Sequence, residues 1–249
     1  MLFCKKKKNN PDLGKIVVGE GASLQHVEGY NRLKDNILYM NADDKKKVIQ
    51  IESAVQGEGK TTVLCNLAVS LGLTDKKVIV VDLDFHRPRT HRLFKVSKDL
   101  GIAEYILGNA GIDSIIKKTE YKNVDLITRG AEIYNSSLVL VSDKFKALID
   151  SLREKYDYIL LDCAPVLQVS DYIHVAHISD GVLFMVAYAT TTKSQVAEAI
   201  KELKKNGANI LGTVFTMYDK KKDKNYDYGK YYNYNYGEES EDSDSEEEE

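Results

Sequence analysis

The chain has 249 residues, 43% of them hydrophobic and 29% charged, with a formal net charge of −3. That length suits one α/β domain with an appendage, and the apolar fraction suffices for a packed core. Three scattered cysteines, Cys4, Cys65 and Cys163, give neither a disulfide framework nor a zinc site, a reducing cytoplasm fits, and no nucleic-acid partner is expected.

Residues 1–27 read as a basic N-terminal segment. Lys5–Lys8 predict a solvated terminus, with an attraction to anionic lipid headgroups of about 1 kcal/mol per lysine near a surface. Residues 28–218 read as the folded domain. A helix is expected over Glu28–Met40, with Leu33, Ile37 and Met40 on one face. The charged turn Asp43–Lys47 leads into an apolar strand, Val48–Ile51, and then into the stretch Glu52–Thr62.

A strand, a glycine-bearing loop and a helix with Leu64, Leu67, Ala68 and Leu71 at i, i+3, i+4 and i+7 form the setting of a phosphate-binding loop. Gly57 and Gly59 let the backbone turn its N–H groups toward a phosphate, and the helix N-terminus adds partial positive charge there. The loop residues Gly57, Glu58, Gly59, Lys60, Thr61 and Thr62 are the expected nucleotide binders. Lys60 would reach the β- and γ-phosphates of ATP and Thr61 would ligate Mg²⁺. Ala54 stands where such loops usually have their first glycine.

Asp75–Lys77 is a turn, and Val78–Val81 is a continuous apolar run of the kind buried on both faces of a parallel sheet. It ends in Asp82-Leu83-Asp84, two carboxylates at i and i+2 that share one side of an extended segment. Gly101–Gly108 predicts a short helix, Val124–Thr128 a strand, and Ser142-Asp143 the cap of a helix carrying Phe145, Leu148, Ile149 and Leu152. Tyr158–Leu161 is another buried strand, closed by Asp162, as a Mg²⁺-holding acid would be. Gly181–Tyr188 and Ile210–Thr216 are the last strands, separated by a helix over 193–206. His174 and His177, three apart on a helix, are read as packing or surface residues rather than ligands. Alternating strands and helices imply a doubly wound, mostly parallel α/β sheet. The longest apolar stretch, Gly181–Ala189, is too short to span a bilayer, and no secretory leader is expected.

Residues 219–249 are expected to be a disordered tail. Tyr226, Tyr228, Tyr231, Tyr232, Tyr234 and Tyr236 are interleaved with Asn, Gly, Asp and Lys, and Glu238–Glu249 is all acidic or serine. From Met217 to Tyr236 the chain extends at most roughly 65–70 Å, which places a neighbour's active site within reach.

Together these motifs resemble those of the bacterial tyrosine kinases of capsule and exopolysaccharide export, P-loop proteins of the deviant Walker A type. The resemblance runs from about Glu28 to Tyr236. Walker A falls on Ala54–Thr61, Walker A′ on Asp82 and Asp84, Walker B on Ile159–Asp162, and the tyrosine cluster on Tyr226–Tyr236. It implies a non-specific protein-tyrosine kinase that uses ATP and Mg²⁺ to phosphorylate its own tail. Asp82 would be the base, and Asp84, Asp162 and Thr61 the metal side. It further implies a membrane-embedded adaptor, a protein tyrosine phosphatase, a homo-oligomer, and recruitment to the inner face of the membrane. Several positions depart from the family pattern. His86 replaces an arginine, Ala164 the first of two prolines, and Thr216 an asparagine that reads adenine. Glu28, Asn31 and Lys34 stand at an oligomerisation pattern that has two arginines. The alternatives are a partition or septum-site type ATPase, which carries a second lysine at the position of Val55, and a nucleotide-binding scaffold with little catalysis.

Overall fold

The structure is a computed structural model that describes residues 14–18, 24–43, 45–188 and 190–218. All of these fall in the unit that ends at Tyr218. Lys5–Lys8 and the tail tyrosines lie outside the described residues.

Helix α1 (Leu24–Met40) precedes β1 (Val48–Ser53), α2 (Lys60–Gly72) and β2 (Val78–Asp82). Three short helices, α3 (Thr90–Leu93), α4 (Ile102–Leu107) and α5 (Ile112–Ile115), lead to β3 (Ile116–Lys118) and β4 (Val124–Ile127). Then come α6 (Ser136–Leu140), α7 (Asp143–Lys155), β5 (Tyr158–Asp162), α8 (Asp171–Ala176), β6 (Gly181–Ala187), α9 (Lys193–Lys205) and β7 (Ile210–Thr216). The sheet order is β3-β4-β2-β5-β1-β6-β7. Every pairing is parallel except that of β3 with β4.

Strand alternation decides which face each core residue serves. Val78 and Val80 pack with Leu64, Leu67 and Leu71 of α2, whereas Ile79 and Val81 pack with Phe145, Leu148, Ile149 and Leu152 of α7. A third cluster joins Val182, Phe184 and Val186 to Ala199 and Leu203 of α9. Both faces of the inner strands are thus covered, and each fully buried leucine contributes roughly 1.5–3 kcal/mol. The cap of α7 is Ser142, whose hydroxyl accepts from the Phe145 N–H, and that of α9 is Thr192, in a capping box with Gln195.

The chain runs from β1 outward to β2, returns to insert β5 between them, and then places β6 on the far side of β1. The loops at the carboxyl ends of β1, β2 and β5 therefore open at one crevice, where an open α/β sheet binds ligands. The first helix begins at Leu24, four residues before the expected start. Its Glu28 carboxylate accepts from Arg32 Nε at 2.9 Å, and Lys34 lies 3.3 Å from Asp35. Among the described residues, no helix is long and apolar enough to cross a membrane.

Candidate nucleotide and metal site

The loop between β1 and α2 is held by side chains that face away from its open side. Gly57 and Gly59 have φ of 88° and 84°, left-handed values that residues with a Cβ rarely adopt. Ala54 is fully buried in the apolar cluster with Val166 and Tyr172, and its carbonyl accepts from the Leu167 N–H at 3.1 Å. A methyl there fills core space, which accounts for the alanine in place of glycine. The Glu58 side chain is buried and engaged by the protein itself. Its carboxylate accepts from the N–H of Val55 at 2.7 Å, the N–H of Ala187 at 3.3 Å and the Thr191 hydroxyl. Its backbone carbonyl accepts from Thr216 Oγ1 at 2.7 Å.

Thr216 thus acts on loop shape. Thr216→Val is expected to cost about 1 kcal/mol of stability, since a buried carbonyl loses its donor. Nucleotide affinity should fall with it. A thermal melt and a titration with a fluorescent ATP analogue measure the two effects. Thr62 serves the loop's flank: its hydroxyl accepts from the Gly14 N–H at 3.2 Å, and Asn66 one turn on pins residues 15–18.

Lys60 is almost wholly buried, and its ammonium donates to Ser53 Oγ at 3.0 Å. Thr61 Oγ1 donates to Asp162 Oδ2 at 2.7 Å. Asp82 and Asp162 are register partners across β2 and β5, so two buried carboxylates end adjacent strands side by side. Asp82 Oδ2 accepts from the Thr90 hydroxyl at 2.5 Å and the Thr90 N–H at 3.2 Å, and its Oδ1 accepts from the Asp84 N–H at 3.2 Å. Asp84 lies above it, half-buried, with Oδ1 accepting from the N–H groups of His86 and Arg87.

Burial pushes both the Asp82 and Asp162 carboxyls up from the ordinary aspartate range. At Asp162 the charge of Asp82 adds to this and Lys60 and Thr61 offset part of it, whereas at Asp82 hydrogen bonds from Thr90 offset part of it and the charge of Asp84 adds. Asp162 Oδ1 is buried with no hydrogen-bond partner. An orphaned hard oxygen beside a hydroxyl and crowded carboxylates is the donor set a divalent cation satisfies. Among the described residues no three ligating side chains form a metal site by themselves. That fits Mg²⁺, which takes one or two carboxylates and completes its shell with phosphate and water.

The expected binders Gly57, Glu58, Gly59, Lys60, Thr61 and Thr62 line one cavity of about 170 Å³ together with Asp84. Asp82 and Asp162 lie beneath this lining. Gln56, Arg87, Arg89 and Pro165 line it too, and Arg87 donates to Gln56 Oε1 at 2.8 Å. Ser53, Thr90, Arg89 and the Gln56–Arg87 bridge escaped the sequence reading. Small polar residues and arginines in loops carry no periodic signal. His86, at the arginine position, has its ring 3.8 Å from Asp171. His174 and His177 stay outside the site, on α8 and its C-cap.

Glu52 was also missed. It is fully buried on β1, accepts from Gln50 Nε2 at 2.7 Å, and has an Oε2 without a partner. Burial pushes its carboxyl up to about 8, against the pull of Lys60, Gln50 and Cys163. A carboxyl raised in the folded state binds a proton the unfolded chain has lost, so folding stability falls as pH rises from the ordinary glutamate range toward 8. Between pH 6 and 8 the ligand-free protein is expected to lose on the order of 2 kcal/mol from this group. Denaturant melts across that window should show the loss and its reduction in Glu52→Gln.

A phosphate-loop strand–turn–helix, with acids closing the neighbouring strands, defines a P-loop NTPase fold, which implies nucleotide binding with a divalent metal. Residues 46–212 match the AAA domain family. The chain is 30% identical over 216 residues to the tyrosine-protein kinase YwqD of Bacillus subtilis, covering 87% of this chain and 90% of that one. It is 29% identical over 202 residues to the tyrosine-protein kinase etk of Escherichia coli, and spans 28% of that longer protein. Among solved structures it resembles the kinase domain of the E. coli tyrosine kinase ETK, with TM-score 0.75, 27% identity, and 87% and 83% of the two chains covered. It also resembles the chimerical protein CapA2B2 (TM-score 0.77, 27% identity, 82% and 92% covered) and, less closely, the septum site-determining protein MinD of Pyrococcus horikoshii (TM-score 0.60, 28% identity, 70% and 71% covered). The chain belongs to the bacterial tyrosine-protein kinases.

Proposed function

We propose that the protein is an autokinase that transfers the γ-phosphoryl group of ATP to its own tyrosine cluster, Tyr226–Tyr236. The observation that carries the reading is the juxtaposition, in a chain of this family, of Lys60 with Thr61 and the partnerless Asp162 oxygen at one strand edge. Loop N–H groups and Lys60 hold the β- and γ-phosphates. Thr61 and Asp162, with Asp84 above them, would hold Mg²⁺, which when bound neutralises charge on the phosphate oxygens. Asp82 takes the proton of the incoming tyrosine as its oxygen bonds to phosphorus and ADP leaves. Thr90 fixes one Asp82 oxygen, and the other has only the 3.2 Å contact with the Asp84 N–H to give up. A carboxyl raised by burial is a stronger base than an exposed one.

In this reading the kinase regulates capsule or exopolysaccharide synthesis and export. A membrane-embedded adaptor recruits and activates it at the inner membrane face, subunits phosphorylate one another in a homo-oligomer, and a tyrosine phosphatase resets the tail. Incubation with labelled ATP and Mg²⁺, followed by mass-spectrometric mapping, tests it. Label on Tyr226–Tyr236 is expected. The likeness to MinD supports a second reading, a nucleotide switch that hydrolyses ATP. Released phosphate without label on tyrosine would favour that reading, and absence of both would leave a scaffold.

A further inference from the structure

Beside the phosphate loop lies a second cavity, of about 350 Å³, whose lining holds no acid. Arg87, Arg89, His91, Arg92, Lys98 and Arg129 converge on it. Arg87 and Arg89 line both this cavity and the nucleotide one, so the two adjoin on the Asp84 side of the loop. Arg129 donates to the Phe85 carbonyl at 2.9 Å, fixing one wall. Among the described residues no carboxylate pairs with Arg89, Arg92 or Lys98. His91 Nδ1 is buried without a partner. Burial and then the positive charges of Arg92, Lys98 and Arg129 hold that imidazole below its ordinary pKa, a sign of unbalanced positive potential.

Convergent unpaired cations around a concavity focus a field that draws in anions. Arg87, Arg89, Arg92, Lys98 and Arg129 bring five positive charges to one cavity of about 350 Å³, more than a single compact anion balances, which suits several separate carboxylates. It shares Arg87 and Arg89 with the cavity where the kinase reading puts phosphoryl transfer. We propose that this cavity is a substrate-docking subsite for a peptide whose acceptor tyrosine is followed by carboxylates. Residues 226–249 have that pattern, tyrosines first and then Glu238–Glu249, and a second copy of the chain would present them. The inference rests on the kinase reading for its function, but docking is measurable without phosphoryl transfer.

The test uses the full chain with the acids of 238–249 replaced by their amides, so that its own tail does not compete. A fluorescent peptide of residues 226–249 and its amide counterpart are titrated by anisotropy at low salt. The acidic peptide is expected to bind at least about tenfold tighter, with the preference lost at high salt. Arg92→Glu/Lys98→Glu should abolish the preference, and the milder Arg92→Gln/Lys98→Gln should reduce it, both with affinity for a fluorescent ATP analogue unchanged. With the peptides as phosphoryl acceptors, KM should separate them and kcat should not. Equal binding of both peptides at low salt, or a preference that survives both double variants, overturns the docking proposal. Preferential binding with no phosphoryl transfer keeps the docking site and overturns the kinase reading instead.

Discussion

Lys60→Met is expected to lower phosphate incorporation into Tyr226–Tyr236 by at least about two orders of magnitude, the scale seen when one charge-stabilising donor is removed from a transition state. The ammonium is buried where the loop enters α2, on Ser53 Oγ, and methionine fills much of its volume, so the fold should survive. A second consequence separates this substitution from a merely local loss. Lys60 offsets the buried charge of both Glu52 and Asp162. Without it, ionising either carboxyl costs more, so the variant should lose stability faster than wild type as pH rises toward 8. Phosphate mapping and parallel melts at pH 6 and 8 measure both. Unchanged label on the tail would show that another enzyme modifies it.

Asp162→Asn should have opposite effects on stability and on ligand binding. In the ligand-free protein it removes one of two carboxylates at the same register of β2 and β5, so the melting temperature at pH 8 is expected to rise. The amide oxygen still accepts from Thr61. What the amide cannot supply is a second anionic oxygen at the place where Oδ1 now has no partner. Mg²⁺-dependent nucleotide affinity should fall by about a hundredfold, and kinase activity with it. Nucleotide titrations with Mg²⁺ and with EDTA, beside the melts, give the answer. Equal Mg²⁺ dependence in variant and wild type would remove Asp162 from the metal. Lower stability of the variant at pH 8 would show that the two acids do not repel.

Much of the fold was legible because periodicity is a local signal. The runs Val78–Val81, Tyr158–Leu161 and Ile210–Thr216 announce strands, and the stripe Phe145, Leu148, Ile149, Leu152 announces α7. The short helices α3, α5 and α6 and the edge strand Ile116–Lys118 were not foreseen, being too short for any period to repeat. A phosphate loop was legible in Gly57-Glu58-Gly59-Lys60-Thr61, since a strand, a tight turn and a helix N-terminus are contiguous in the chain.

The role of each loop side chain was not. Glu58 reads as one residue of the binding loop, and only the fold shows its carboxylate turned inward on Val55, Ala187 and Thr191. Thr216 reads only as a departure from an asparagine, and its hold on the loop through the Glu58 carbonyl, 158 residues away, carries no local signal. The sequence by itself determined the strand–loop–helix unit, the acids that close β2 and β5, and an acidic tyrosine-bearing end. Tertiary folding alone puts Asp82 and Asp162 at one register, leaves Asp162 an oxygen to spare, and brings Arg129 to the cavity lined by the basic residues of 86–98. The physical reason is that dihedral preference and hydrophobic period act over a few residues. Charge repulsion, hydrogen-bond satisfaction and burial depend on which distant segments the sheet brings together.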